Sequence, residues 1–123
     1  MGAASEQDEP WASLILLYVT APDEQAAQHL AERIVGERLA ACVNIFPAMS
    51  SVYQWKGTIE TAQEAVMIVK TNAAMAPAAR QWIEQNHPYE TPCILALPID
   101  EDASSRAFQD WVNGEISPSQ KCE

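Results

Sequence analysis

The chain has 123 residues, of which 48% are hydrophobic, so it holds enough apolar material for one folded core but not for two. Its formal net charge of −10, from 17 acidic and 7 basic side chains, argues against nucleic acid as a partner, because a phosphate backbone needs a face rich in Lys and Arg. The three cysteines include no C-x-x-C pair, which argues against a disulfide framework or a structural zinc knuckle. The first apolar run, residues 14–19, is too short to cross a bilayer, and no association with membranes is expected.

Residues 1–11 are predicted to form a disordered acidic leader, because they show no apolar periodicity. A secretory signal needs basic residues before its apolar stretch, whereas this segment carries acids, namely Glu6, Asp8 and Glu9. The expected location is therefore the cytoplasm.

A strand and a helix are predicted next. Residues 13–19 are continuously apolar, as in a central strand that is buried on both faces. The segment Thr20–Glu24 places a capping residue, a proline and two acids in succession, which predicts the start of a helix. That helix is expected to end near Leu39 and to lay one face on a sheet. Its apolar residues recur at helical spacing: Ala27, Leu30, Ala31, Ile34 and Val35.

The middle of the chain predicts a long antiparallel hairpin. Residues 42–55 alternate with a period of two, the pattern of a strand with unlike faces. Pro47 cannot donate to a strand ladder, so a bend or bulge is expected there. Lys56–Gly57 is a turn signal, and residues 64–71 form the returning strand. The tip of the hairpin carries two aromatic side chains, Tyr53 and Trp55.

A second helix is predicted from about Met75 to Asn86, with Pro77 in its first turn. Two more prolines, Pro88 and Pro92, end this helix and hold the chain extended, because each restricts the residue before it. A fourth strand follows over residues 93–99. The proline near its end indicates that it leaves the sheet or lies at an edge.

A short helix capped by Ser104 or Ser105 closes the domain, and Gly114 is the predicted stop signal. A single domain is therefore predicted over residues 12–115, followed by a flexible tail over residues 116–123. Three apolar residues of the short helix recur at i, i+3 and i+4, which are Phe108, Trp111 and Val112.

The order strand, helix, strand, strand, helix, strand predicts an α+β fold of the ferredoxin-like, split βαβ type. Both main helices should lie on one face of a four-stranded antiparallel sheet, with the short helix added at the end. The hairpin is long for such a sheet, so its apolar, aromatic end should project beyond the domain. Because an exposed apolar strand edge pairs with other chains unless it is covered, a homo-oligomer is expected.

The segment Asn86–Cys93, Asn-His-Pro-Tyr-Glu-Thr-Pro-Cys, gathers most of the polar groups that suggest a site. His87 lies at a helix end, where it either hydrogen-bonds the free carbonyls of that helix or ligates a metal. Tyr89 and Glu90 either orient His87 or close a subunit contact, or they form a hydrogen-bonded turn. Cysteines in apolar surroundings are usually small buried hydrophobes, and that interpretation applies to Cys42 and Cys93.

No grouping of residues in the sequence indicates a catalyst. The four glycines are scattered and form no phosphate-binding loop. No set of nucleophile, base and orienting residue is visible. An enzyme acting on a small molecule in a subunit cleft is therefore the least supported class of function, and no catalytic activity is expected.

Five stretches together resemble the CutA family, the proteins named for divalent-cation tolerance. They occur in the family's order between residues 14 and 112, as Val19–Asp23, Glu37–Asn44, Val52–Gly57, Met67–Thr71 and His87–Pro92. The resemblance implies a ferredoxin-like subunit in a homotrimer of PII-like architecture, with long hairpins that pair between subunits. It also implies a cytoplasmic protein that is linked to copper and other divalent metals and has no established catalytic activity.

The copper ligands that the resemblance implies are a cysteine at the end of the first strand and two adjacent histidines before the Pro-Tyr. Those positions hold Val19, Asn86 and His87 here, so only His87 keeps a residue of the expected type. Copper(I) prefers thiolates and copper(II) prefers imidazoles or carboxylates, and neither Val19 nor Asn86 supplies one. A reshaped site of His87, Glu90 and Cys93, where many members carry a glutamate in place of Cys93, stays open, although neighbouring side chains of an extended segment diverge.

Two functional hypotheses follow. The first is a trimeric binding or regulatory protein of the CutA type, which takes a metal ion, copper or another divalent cation, or a small ligand in the clefts between its subunits. The second is a trimeric interaction or scaffold protein whose link to metals is indirect.

Overall fold

The computed structural model describes residues 13–116, so the predicted leader, residues 117–123 of the predicted tail and Cys122 lie outside the described residues. Seven elements follow in the predicted order. They are β1 (Leu14–Ala21), α1 (Glu24–Gly36), β2 (Cys42–Trp55), β3 (Thr58–Asn72), α2 (Ala76–Asn86), β4 (Ile94–Pro98) and α3 (Arg106–Ile116). Within residues 13–116, no helix is both long and apolar enough to span a membrane.

The four strands form one sheet in the order β2-β3-β1-β4, and every neighbouring pair is antiparallel. This confirms the ferredoxin-like prediction. β1 is central, as its apolar run predicts, but its two faces differ: Leu17 is buried, whereas Tyr18 on the opposite face is half-buried. β2 and β4 are the two edges of the sheet.

The main core lies between one face of the sheet and the helices α1 and α2. Fully burying one large aliphatic side chain in this core stabilises the fold by about 1.5–3 kcal/mol. The core is built from alternate residues of β1 and β3 and from one stripe of each helix, with Leu17, Val19, Met67, Val69, Leu30, Ile34 and Ile83 among its members. A smaller cluster joins Val112 and Ile116 of α3 to Leu14. Because Leu14 alternates with the core-facing residues of β1, α3 covers one end of the opposite sheet face.

The start and end of α1 differ from the prediction. Thr20 lies in β1, and the N-cap is Asp23, whose Oδ1 accepts a hydrogen bond of 2.8 Å from the backbone N–H of Ala26. The residues before Pro22 stay extended, as a following proline favours. The helix ends at Gly36 rather than near Leu39, because the chain soon enters the left-handed region, with φ 61° at Arg38.

The hairpin of β2 and β3 is longer than predicted, since β3 starts directly after the turn, at Thr58. Lys56 and Gly57 have φ values of 51° and 82°, as the two central residues of a type I′ turn require. The predicted bulge is confirmed: the register between β2 and β3 shifts between Phe46 and Met49. The first residues of β3 are exposed and, apart from Ile59, polar, so they carry no apolar alternation from which a strand is predicted.

The last helix runs past its predicted stop. Gly114 lies inside α3, and Ile116, which the sequence assigns to the tail, is the final helical residue and is fully buried. Phe108 and Trp111 were expected to share a face with Val112, but they are exposed to 40% and 46%. The reason is that α3 touches the sheet only along a narrow stripe. Of the two predicted capping residues, Ser104 and Ser105, the structure confirms Ser105, because its Oγ accepts a hydrogen bond from the N–H of Phe108.

Candidate functional site

His87 connects the end of α2 to the end of β1. Its Nε2 lies 2.7 Å from the carbonyl oxygen of Thr20, and its Nδ1 accepts a hydrogen bond of 3.0 Å from the backbone N–H of Tyr89. The ring is therefore a neutral imidazole with its proton on Nε2. Its predicted bond to the free carbonyls of α2 is wrong: the side chain bonds the sheet instead. The imidazole is buried, with 9% of His87 exposed, and both of its nitrogens are used.

The other two family positions for copper ligands hold structural side chains. Val19 is fully buried in the core and offers no ligand atom. The amide of Asn86 donates to the carbonyl of Trp82 at 2.8 Å and accepts from Arg33 at 3.2 Å. The guanidinium of Arg33 also lies 5.2 Å from the centre of the Trp82 ring, a cation–π contact. Asn86 thus joins the C-terminal ends of α1 and α2.

A preformed copper centre does not fit these residues. Residues 13–116 contain no group of three or more His, Cys, Asp or Glu side chains that is arranged to hold a metal ion. Glu90 is exposed and Cys93 is half-buried, ahead of β4 rather than inside it. Neither Cys93 nor Cys42 is the fully buried residue that was expected. His87 as a metal ligand stays a prediction, and its condition is that a metal displaces Thr20 or Tyr89 from the ring.

A hydrogen-bonded network of side chains begins at Tyr89, and most of it was missed by the sequence-based predictions. The Tyr89 hydroxyl donates to Oε2 of Glu64 at 3.1 Å, and the Ser51 hydroxyl donates to Oε1 of the same carboxylate at 2.6 Å. The rings of His87 and Tyr89 lie 5.0 Å apart between centres. The network links the segment Asn86–Cys93, called the connector below, to both strands of the hairpin. Glu64 is 25 residues from Tyr89 in the chain, so only the register of the hairpin brings them together.

The environment of Tyr89 raises the pKa of its hydroxyl above the ordinary 10.0. Burial is the largest cause, followed by the hydrogen bond to Glu64 and the negative charge of that carboxylate. Tyr53 and Asp23 contribute in the same direction. Tyr89 therefore stays protonated and can donate to Glu64 throughout the neutral range.

The same sheet face extends this network. Met49 pairs directly with Glu64 across the two strands, and the Tyr18 hydroxyl lies 3.7 Å from the Met49 sulfur. Because Tyr18 alternates with core residues of β1, these side chains lie on the face that α1 and α2 leave uncovered.

Large apolar side chains are exposed on that uncovered face. Strand register places Phe46, Leu95 and Leu97 there, and they are 57%, 58% and 48% exposed. The projecting hairpin adds four exposed side chains, Val52, Tyr53, Trp55 and Ile59. Apolar exposure on this scale marks a surface that binds another molecule.

Comparison with known proteins agrees with the resemblance in the sequence. The family model for the CutA1 divalent ion tolerance protein matches residues 15–115. A Yersinia pestis relative, the divalent-cation tolerance protein CutA, is 37% identical over 106 residues, which cover 86% of this chain and 87% of that protein. Protein CutA of Mus musculus is 38% identical over 101 residues, which cover 82% of this chain but only 56% of the mouse protein.

Solved structures give the same picture. CutA1 from Oryza sativa superposes with a TM-score of 0.83 at 34% identity, covering 89% of this chain and 99% of that chain. The Archaeoglobus fulgidus protein, described as a periplasmic divalent cation tolerance protein CutA, gives 0.79 at 38% identity, with coverages of 85% and 99%. The PII-like protein CutA from Nostoc sp. PCC 7120 gives 0.77 at 29% identity, with coverages of 83% and 96%. In sequence and in fold alike, this chain belongs to the CutA family.

Proposed function

We propose that the chain is a divalent-cation tolerance protein that works as a homotrimeric binding or regulatory protein and not as an enzyme. The names of its bacterial relatives support the link to divalent cations. The observation that carries the assembly is the uncovered sheet face, with Phe46, Leu95 and Leu97 exposed together. Both ring nitrogens of His87 are hydrogen-bonded, so this imidazole is not free to act as a catalytic base, which supports a role in binding.

The proposed trimer accounts for the features that a single chain leaves unsatisfied. β2 and β4 are open edges whose backbone groups can pair with another strand. Hairpins that pair between subunits, as the resemblance implies, would cover these edges together with the apolar face. The clefts between subunits would then be bordered by the connector and by the hairpin, where a metal ion or a small ligand would bind.

Copper or another divalent cation is the proposed ligand, with His87 as the candidate residue. A metal would have to replace one of its two hydrogen bonds, and leaving a buried partner unsatisfied costs about 1–3 kcal/mol. That cost lowers the affinity by roughly tenfold to hundredfold relative to a free imidazole.

A second candidate is an interaction or scaffold trimer whose link to metals is indirect. It is favoured by one observation: His87 is saturated, and no cluster of ligating side chains exists within residues 13–116. In this case, the protein acts by binding other proteins through its assembly surface, and the loss of His87 would leave metal tolerance unchanged.

The location that we propose is the cytoplasm, as the resemblance to the CutA family implies. The Archaeoglobus fulgidus neighbour is described as periplasmic, so the location needs its own test. Fractionation of cells that produce the full chain is expected to recover it with cytoplasmic markers, and recovery with periplasmic markers would overturn the assignment.

Growth in metal tests the proposed function directly. A bacterial strain that lacks its own CutA is given the full chain or an empty vector, and its growth is followed in rising copper and zinc. We expect the full chain to restore growth at metal concentrations that inhibit the empty-vector strain. Equal growth of the two strains at every concentration would contradict the function.

Isothermal titration with copper and zinc separates the two candidates. Wild type and His87→Ala are compared after circular dichroism has shown that both are folded, with His29→Ala as the matched control because His29 is exposed on α1. Binding that is lost in His87→Ala alone supports a direct metal site. Equal binding by all three proteins removes His87 from the site and supports the indirect link.

A further inference from the structure

We propose that Glu64 anchors a binding site for an organic cation, an ammonium or a guanidinium group, on the uncovered face of the sheet. The site comprises Glu64, Ser51, Tyr89, Met49 and Tyr18 and is called the Glu64 site below. The inference rests on the proposed binding function, for which it names a class of ligand.

Hydrogen bonds hold the Glu64 carboxylate in place, but no positively charged side chain of residues 13–116 neutralises it. Both carboxylate oxygens accept hydrogen bonds from neutral hydroxyls, those of Ser51 at 2.6 Å and Tyr89 at 3.1 Å. Within residues 13–116, no Lys, Arg or His side chain forms an ion pair with Glu64; the ion pair present there joins Arg80 and Glu84 on α2. A half-buried carboxylate without a cation is costly to bury further, so covering this face favours the entry of a positive group.

The neighbouring groups add to the attraction for a cation. The negative charge of Asp23 also raises the pKa of the Tyr89 hydroxyl, with a smaller effect than the charge of Glu64, so it adds weakly to the negative potential there. Aromatic rings attract cations through their faces, and the side chains of two tyrosines belong to the site. Tyr89 is hydrogen-bonded to the carboxylate, and Tyr18 is connected to it through Met49.

The ligand set suits an organic cation better than a metal ion. Calcium and magnesium take several carboxylate or carbonyl oxygens, whereas this site has one carboxylate. Copper and zinc prefer imidazoles and thiolates, and neither belongs to the Glu64 site. A single carboxylate that accepts hydrogen bonds from two hydroxyls, with two tyrosines in the same set of contacts, suits an ammonium or guanidinium group, which binds through charged hydrogen bonds and ring faces.

Such a cation has two sources, a small free molecule or a basic side chain of a second copy of the chain. Lys56 is the candidate side chain. It lies at the tip of the hairpin, where its Nζ is 5.7 Å from the centre of the Trp55 ring. A projecting hairpin is the part of the chain best placed to reach another subunit.

Titration of the full chain with n-butylammonium chloride and ethylguanidinium chloride tests the free source, with uncharged n-butanol as the control ligand. The wild type is expected to bind the two cations and not n-butanol. Glu64→Gln should weaken the binding roughly tenfold or more, because it removes a charged hydrogen bond, and Ser51→Ala and Tyr89→Phe should weaken it several-fold. Glu60→Gln is the matched control: Glu60 is an exposed residue of the same strand, and its loss changes the net charge equally.

The second source predicts a different result. If Lys56 of a second copy fills the site, free cations do not bind, and Glu64→Gln and Lys56→Met each raise the dissociation constant of the assembly roughly tenfold. The double variant should be no weaker than either single variant, because both remove the same contact.

The inference is overturned if Glu64→Gln matches Glu60→Gln in both cation binding and subunit dissociation. Circular dichroism establishes that each variant is folded, so loss of the fold cannot imitate either result. The metal-growth experiment is independent. If growth is restored but Glu64→Gln behaves like Glu60→Gln in cation binding and subunit dissociation, this inference is overturned and the proposed function stands. Cation binding without restored growth overturns metal tolerance instead.

Discussion

The imidazole of His87 is a structural bridge in this protein. It joins the carbonyl of Thr20 at the end of β1 to the N–H of Tyr89 in the connector. Sequence reasoning identified the right segment, because two prolines and a helix end are local signals. It did not predict the partner of the imidazole, which is 67 residues away in the chain. Val19 and Asn86, which stand where the family has metal ligands, also have structural roles. Val19 packs in the core, and Asn86 is hydrogen-bonded to both main helices.

Replacing His87 with alanine should destabilise the protein by about 2–3 kcal/mol, because it leaves a buried carbonyl and a partly buried N–H without partners. Chemical denaturation at equal protein concentration measures the change, since the stability of an assembly depends on concentration. The exposed His29 provides the control, and His29→Ala should stay within about 0.5 kcal/mol of the wild type. Equal stabilities for the two variants would show that the bridge contributes nothing.

The ionisation of Tyr89 reports on Glu64. Its raised pKa means that the folded protein holds the phenolic proton more tightly than the unfolded chain does. The resulting stability is present below the ordinary pKa of 10.0 and is lost as the pH rises through the folded-state value. Ultraviolet titration of tyrosinate, with Tyr89→Phe as the reference, should show this pKa moving down towards 10.0 in Glu64→Gln. A pKa that does not move in that variant would refute the contact.

The alternation of apolar and polar residues predicts the existence of the hairpin well, but it does not predict where its second strand begins. Its turn and its bulge follow from local chemistry, from Gly57 and from the proline after Phe46. The start of β3 does not, because its first residues are exposed and, apart from Ile59, polar. A strand that projects beyond the core has no buried face, so its sequence shows no alternation of apolar and polar residues. The end of α3 was missed for the opposite reason, because burial of Ile116 outweighs the helix-stopping tendency of Gly114.

Replacing either of two glycines with alanine adds the same methyl group but should change the stability in opposite directions. Gly57→Ala should destabilise the hairpin by about 1 kcal/mol, because φ 82° is strained for any residue with a side chain. No atom lies within 4 Å of the added Cβ at Gly57 or at Gly36, so neither change causes a clash. Gly36→Ala should be neutral or stabilising by up to about 1 kcal/mol, since it adds helix propensity to the last residue of α1. Thermal unfolding of both variants checks the contrast, and a stabilising Gly57→Ala would refute the strained turn.

At the scale of the whole molecule, the chain is a ferredoxin-like domain with one covered and one largely open sheet face. The sequence predicts this architecture because its order of elements allows few alternatives. The Glu64 site lay beyond prediction, since it requires the register of three strands at once. The proposed assembly would cover the open face, the free edges β2 and β4, and the aromatic hairpin with further copies of the chain.

The mass of the full chain in solution tests this account most directly. Size-exclusion chromatography with multi-angle light scattering should give a single species of three times the monomer mass, unchanged on dilution through the micromolar range. Phe46→Asp, which places a charge in the uncovered face, should shift that species towards the monomer. A wild-type protein that elutes as a single species of monomer mass would contradict the proposed assembly, and with it the proposed clefts between subunits.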